Sequence, residues 1–168
     1  MNSMDRLRRL LLLWLAAFAL TLFSGCNSTE NRLDGVRGKV TGVKDGDTFE
    51  ILIDRKPEVV RLAHIDCPER GQPFGKAAKQ FASDLSFGKF VLVKEEGRRD
   101  RYGRMIATIR LKDGTIVNQE LVRAGLAWHF TKYSDDMAYA RLEREARAAK
   151  LGLWSEGSPV PPWEWRKR

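Results

Sequence analysis

Five polar side chains spaced through a basic chain carry the chemistry: Asp47, Arg61, Asp66, Glu69 and Arg104. Three carboxylates supply hard oxygen donors that can hold a divalent cation and orient a water, and two guanidinium forks match the oxygens of a phosphate. Together they point to metal-assisted cleavage of a phosphodiester. Calcium (Ca2+) suits this donor set. It tolerates irregular geometry, and water and a carbonyl complete a shell begun by two carboxylates. Zinc suits it less, because no local cluster of thiolate and imidazole is present.

Each residue also has a plainer reading. Asp45-Gly46-Asp47-Thr48 is a sufficient hairpin turn by itself; Asp47 gains meaning only when joined to Asp66. Arg61 lies five positions before Asp66, which puts the two on opposite faces of an ideal strand. A bulge, twist or strand end must reconcile them, or Arg61 is a solvated strand charge. Cys67 has no basic partner nearby and reads as a small packed side chain, not a nucleophile. His64 reads as strand packing or polarity. Arg101-Tyr102-Gly103-Arg104 supplies a cation at a loop–strand junction, thickened by Arg98 and Arg99. Arg104 suits phosphate contact, Arg101 and Tyr102 suit positioning of chain or base, and Tyr102 and Tyr133 offer stacking faces. Trp128, Trp154, Trp163 and Trp165 fit core packing or C-terminal docking better.

The elements that must position these groups follow from periodicity. Strands are predicted over 36–43, 47–53, 58–65, 90–95 and 104–111, with turns at Asp45-Gly46, Lys56-Pro57 and Asp113-Gly114. Asp66-Cys67-Pro68-Glu69 ends the third strand. Helices are predicted over 75–85 and 117–124, and a last one over 135–150 with Ser134 as its cap. Five strands with helices inserted after the third and fifth make a small closed or partly closed antiparallel barrel, an all-β core with added helices (α+β). Residues 159–165 read as an extended packing tail.

The ends of the chain carry separate signals. Arg6, Arg8 and Arg9 precede an apolar run over 10–22, too short for an ordinary spanning helix. Phe23-Ser24-Gly25-Cys26 then resembles a bacterial lipoprotein processing site. That resemblance implies cleavage of a signal peptide (1–25), lipidation of Cys26 and anchoring in the bacterial membrane through a polar tether (26–35). An ordinary secretory signal or an uncleaved anchor is the alternative. The protein is expected in the bacterial cell envelope outside the cytoplasm, lipid-anchored if Cys26 is processed and otherwise periplasmic or secreted, and as a monomer. About 130 residues remain, enough for one domain, taken as 36–155 followed by a Pro/Trp-rich basic tail (156–168). The chain has 30 basic and 22 acidic residues, a net charge of +8; without Arg6, Arg8, Arg9 and Asp5 these become 27 and 21, a net of +6. That excess favours a polyanion or an anionic membrane surface. With two cysteines, one of them Cys26, no disulfide framework supports the fold.

Taken together, Asp45-Gly46-Asp47-Thr48, residues 61–69 (RLAHIDCPE), Asp100-Arg101-Tyr102-Gly103-Arg104, residues 117–125 (VNQELVRAG) and Leu153-Trp154-Ser155 resemble the staphylococcal-type thermonuclease family. The resemblance implies a five-stranded OB-fold barrel with three helices and calcium-dependent endonuclease cleavage of DNA and RNA to 3′-phosphate and 5′-hydroxyl ends. By the same resemblance Asp47 and Asp66 are calcium ligands and the Cys67 backbone carbonyl a third. Glu69 is the general base, and Arg61 and Arg104 bind phosphate. Arg101, Tyr102 and Tyr133 match substrate-binding positions. The chain departs from the pattern at Cys67, where the family commonly has threonine, at Arg101, where it has lysine, and in keeping one tyrosine of a substrate-pocket pair. Two rival readings are an inactive OB-fold nucleic-acid-binding module and an envelope structural or interaction lipoprotein.

Overall fold

The computed structural model describes residues 35–97 and 99–168. The leader, the Cys26 lipidation site, the tether up to residue 34 and Arg98 lie outside the described residues.

Val36–Val43 (β1) and Thr48–Ile53 (β2) form a hairpin across the Asp45-Gly46 turn. A second hairpin joins β2 to Lys56–Leu62 (β3). Its turn is Asp54-Arg55, not the expected Lys56-Pro57. Both residues take left-handed backbone angles (φ 48° and 64°), as a two-residue hairpin of this twist requires, and Pro57 lies in the ladder opposite Leu52. The third strand also stops at Leu62, short of the expected residue 65. The chain turns through Ala63 and His64, which is left-handed at φ 69°, and Ile65–Asp66 starts a separate short strand (β4). This break answers the parity objection: Arg61 and Asp66 belong to different strands, so the alternation of one strand does not separate them.

Gly75–Ser86 (α1) leads to Phe90–Glu95 (β5) and Met105–Leu111 (β6). The sheet closes in the order β1-β2-β3-β6-β5. The expected all-antiparallel barrel is corrected at one seam, where β3 and β6 pair in parallel. That pairing is open to them because α1 and β5 intervene, giving the long connection that parallel neighbours need. Inward alternation is strict in β6, where Met105, Ala107, Ile109 and Leu111 are buried. Val40, Phe49, Ile51, Val60, Leu62, Val91 and Val93 fill the rest of the barrel. Each large aliphatic or aromatic side chain enclosed this way contributes about 1.5–3 kcal/mol.

Val117–Arg123 (α2) and Met137–Ala148 (α3) pack beside the barrel, and Trp128–His129 (β7) pairs with β4. The fold is thus a closed, mixed, five-stranded OB-type barrel of α+β class. Three helices were expected. Among the described residues there is a fourth, the single turn Pro162–Trp165 (α4), which follows a 3-10 turn at Gly152–Ser155. Proline at the first helical position starts α4 without losing a needed N–H. Asp136, not Ser134, caps α3, accepting the Ala138 N–H at 2.8 Å. The Ser134 hydroxyl instead sits between His64 Nδ1 (2.9 Å) and His129 Nε2 (3.0 Å).

Candidate active site

The Asp45–Asp47 turn can approach β4 closely because its middle residue is glycine. A Cβ on Gly46 would lie 2.8 Å from Cys67 Cβ and 2.9 Å from Ala78 Cβ. That approach lets Asp47 Oδ2 accept the Cys67 N–H at 3.0 Å, while Oδ1 accepts the Thr48 hydroxyl at 3.1 Å. From the neighbouring strand, Arg61 Nη1 donates to the Leu62 and Ile65 carbonyls, both at 3.0 Å, and so ties off the turn between β3 and β4. Arg61 Nη2 lies 2.7 Å from Asp66 Oδ1 and 3.2 Å from Asp47 Oδ2. One nitrogen therefore touches both aspartates, although the three residues come from three elements.

Asn118 holds that turn from behind. Fully buried on α2, it accepts the Ile109 N–H and donates to the Ala63 and Ala107 carbonyls. Glu69 sits on the next loop, which is folded tightly enough that a Cβ on Gly75 would fall 2.0 Å from the Glu69 carbonyl oxygen. Gln72 accepts the Glu69 N–H at 3.1 Å and donates to the Val160 carbonyl at 2.6 Å, joining this loop to the C-terminal segment.

Arg104 enters from the loop that leads into β6, the strand beside β3. Asp100 aims it, with Oδ2 accepting Arg104 Nε at 2.8 Å and Oδ1 accepting the Tyr102 and Arg104 N–H groups at 2.9 Å. Arg104 Nη1 reaches the Thr48 hydroxyl at 3.3 Å, the same hydroxyl that bonds Asp47. Tyr102 and Tyr133 stand on the rim, 68% and 70% exposed. Arg101 folds over Tyr102, with Nη2 2.6 Å from its hydroxyl. Arg99 turns away to Glu58 at 2.8 Å and does not line the groove. The sequence-predicted set of Asp47, Arg61, Asp66, Cys67, Glu69, Arg101, Tyr102, Arg104 and Tyr133 thus lines one groove of about 1310 Å3, large enough for more than a single small ligand.

Four residues with no role assigned from sequence complete the site. Asp100, Asn118 and Gln72 position others. Arg166, expected only in the basic C-terminal tail, puts Nη2 2.7 Å from Asp66 Oδ2 and Nη1 2.6 Å from Glu69 Oε1. A separation of 100 residues between Asp66 and Arg166 leaves no local signature; the one hint was the basic composition of the tail. Asp100 was visible beside Arg104, but side chain-to-backbone loop bonding is not written in spacing.

Burial and crowding of negative charge dominate the electrostatics. Burial, with Asp47 beside it, pushes the Asp45 carboxyl up to about 6. Burial also raises Asp66, against the downward pull of Arg166 and Arg61. Arg61 behaves oppositely: burial alone would lower it, yet Asp47 and Asp66 hold it above its ordinary value. Burial pushes the Cys67 thiol well up, so it stays protonated and offers neither a thiolate nucleophile nor a soft metal ligand. What remains is an oxygen donor set with an appetite for positive charge, which fits a hard cation. Among the described residues no three His, Cys, Asp or Glu side chains form a metal cluster. A cation here would take the two aspartates and complete its shell with backbone oxygen and water.

The residues 59–156 match the family model described as staphylococcal nuclease homologue. An Escherichia coli O157:H7 protein named as an uncharacterized endonuclease is 45% identical over 133 residues, 79% of this chain and 86% of that protein. A Haemophilus influenzae protein with the same description is 34% identical over 163 residues, 96% of this chain and 88% of its own length. A Shigella flexneri micrococcal nuclease is 40% identical over 141 residues, 78% of this chain and 80% of its own.

Proposed function

The chain belongs to the staphylococcal nuclease family, and from that premise we propose a calcium-dependent endonuclease that hydrolyses DNA and RNA and leaves 3′-phosphate ends. Membership and the nuclease-named relatives support hydrolytic nuclease activity. The observation that carries the finer reading is the convergence of Asp47, Asp66 and Glu69 with Arg61 and Arg104 on one groove.

Asp47, Asp66 and the Cys67 backbone carbonyl would hold the calcium. When bound, the ion supplies Lewis-acid stabilisation of a phosphoryl oxygen. Glu69, on the half-exposed loop beside Asp66, orients a water and takes its proton on a carboxylate oxygen as the water attacks phosphorus. Arg61 and Arg104 stabilise the charge that grows on the phosphoryl oxygens, and the 5′ oxygen leaves on the far side. Asp100 keeps the Arg104 fork pre-aimed, so little reorganisation is needed at the moment of reaction. Arg101, Tyr102 and Tyr133 contact the flanking chain and bases without reading a sequence.

The test uses the full chain, purified in mild detergent, on supercoiled plasmid and on single-stranded DNA and RNA. Cleavage with calcium that stops on chelation, with phosphate recovered on the 3′ end, is the expected result. Tight binding without cleavage across calcium concentration and pH would overturn it and leave a binding module. The membrane placement rests on sequence alone: Cys26 lipidation holds a monomer at the bacterial envelope outside the cytoplasm. Cys26→Ser is expected to abolish fatty-acid labelling and release the protein from the membrane pellet; unchanged labelling would refute the site.

A further inference from the structure

The C-terminal segment is anchored to the groove independently of Arg166. The Val160 carbonyl accepts the Gln72 amide at 2.6 Å. Trp163 stacks on Phe130, with ring centres 5.4 Å apart and planes at 7°, and meets the edge of Trp128 at 5.8 Å. The proline-initiated turn α4 then presents Arg166 to the carboxylates as a pre-organised arm. A pair between two free surface side chains would carry little weight. This one differs, because the Asp66 side chain is 1% exposed and the arm that brings its partner is packed.

The guanidinium takes up atoms the proposed reaction needs. Asp66 Oδ1 already accepts Arg61, and Arg166 Nη1 adds a longer contact to it at 3.4 Å. Asp66 Oδ2 is held by Arg166 Nη2 at 2.7 Å, and Glu69 Oε1 by Nη1 at 2.6 Å. A divalent cation drawing on Asp66 meets a carboxylate already satisfied by two arginines. Arg61 is locked by two backbone carbonyls. Among the described residues Arg166 makes no side-chain bond of that kind, and it is the partner able to yield.

We infer that Arg166 is a further active-site residue that competes with the divalent cation for Asp66, so that the C-terminal segment sets the protein's cation affinity. This rests on the reading of Asp47 and Asp66 as cation ligands. Arg166 acts through those carboxylates and is a positioning residue for the cation-free site. Releasing it frees the Asp66 and Glu69 oxygens together, which couples cation entry to exposure of the water-orienting carboxylate.

The experiment is calorimetric titration of calcium chloride into the full chain in mild detergent, without nucleic acid, for the wild type, Arg166→Gln and Arg166→Lys. Arg166→Gln is expected to bind calcium about three- to tenfold more tightly, the scale of losing one partly exposed competing charge. Arg166→Lys, which keeps the charge, is expected to stay closer to the wild type. Equal or weaker binding by Arg166→Gln, with binding intact in the wild type, would overturn the competition and leave the cation site standing. No calcium binding by any of the three would overturn the cation site itself and the competition with it. Arg166 lies two residues from the C-terminal residue of the chain and is 43% exposed, so folding of the variants is checked by the near-ultraviolet dichroism of the packed tryptophans.

Discussion

The two walls of the groove are built on different terms. On the barrel wall, Asp47, Arg61 and Asp66 are almost enclosed, and each side chain is held by two or more bonds, several to backbone. On the rim, Tyr102 and Tyr133 are mostly exposed, and their charged neighbours Arg101 and Lys132 are exposed as well. The contrast assigns precision and tolerance to different places. The charges that the proposed reaction brings to the phosphate are fixed by β-strands and a buried asparagine. The surfaces proposed to accept a chain of any sequence are left adjustable, because a stacking face needs no exact register. Arg104 is intermediate, a rim residue made rigid by Asp100.

Breaking the barrel wall should have the largest effect. Asp66→Asn is expected to lower plasmid cleavage by about a hundred- to a thousandfold and to abolish calorimetric calcium binding, with a normal folded spectrum. A rate near wild type would show that the wall is scaffold and not chemistry. Arg61→Ala should damage stability as well as rate. It leaves Asp47 and Asp66 buried with one counter-charge fewer and two carbonyls unpaired, a loss of about 3–5 kcal/mol by urea unfolding. Arg61→Lys should recover little, because a point charge cannot reach both carbonyls and both carboxylates.

Next in size comes the aiming of Arg104. Burial alone would raise Asp100, but bonds from the Arg104 backbone and side chain and from the Tyr102 N–H outweigh it and hold the carboxyl below its ordinary value. Asp100→Ala frees the guanidinium without removing it. A fall of about tenfold in kcat, with calcium affinity unchanged, is expected if pre-aiming matters. An unchanged kcat would place Arg104 with the adaptable rim instead.

Much of this division was already legible in the chain. The strand bearing Val91 and Val93 and the one bearing Ala107 and Ile109 were legible as strand segments, expected over 90–95 and 104–111, and the acidic and arginine residues by type. Three features were not legible. The break after Leu62 depends on His64 adopting a left-handed angle, which a non-glycine residue rarely announces. The parallel β3–β6 seam depends on barrel closure, a property of no single segment. Arg166 depends on Trp163 finding Phe130, a contact between residues 33 apart in sequence whose types would equally suit core packing. Local periodicity carries information about which face of an element is buried. It carries none about which distant arm lands on that face.

On the rim the expected effects are small and of a different kind. Tyr102→Ala and Tyr133→Ala each remove one stacking face and should raise KM by about fivefold, the low end for an exposed stacking contact, with kcat nearly constant. A fall in kcat instead would mean that Tyr102 holds Arg101 or Arg104 in place and that the rim is not adjustable after all.

Acid offers the gentlest way to sharpen the comparison, because the packing behind the barrel wall is itself polar. His129 is buried on β7, with Nε2 on Ser134 and its ring facing Tyr139. Burial lowers its proton affinity; Glu143, Asp136 and Asp135 pull the other way, and His64 adds to the lowering. The unfolded chain takes up that proton near the ordinary value of 6.5 while the folded chain resists it. The stability contributed by neutral His129 is therefore complete above 6.5, declines as pH falls below it, and is gone once the folded imidazole itself protonates. Asp45 works in the opposite sense. With its carboxyl raised to about 6, the folded chain binds that proton first as pH falls, which adds stability over the same range. The difference between wild type and His129→Gln cancels the Asp45 contribution and isolates the histidine. The expected outcome is a wild-type Tm that drops more than the variant's between pH 7 and 5. Parallel Tm curves would mean that the imidazole is wetter than its packing suggests, and that the wall's rigidity stops at the first layer of side chains.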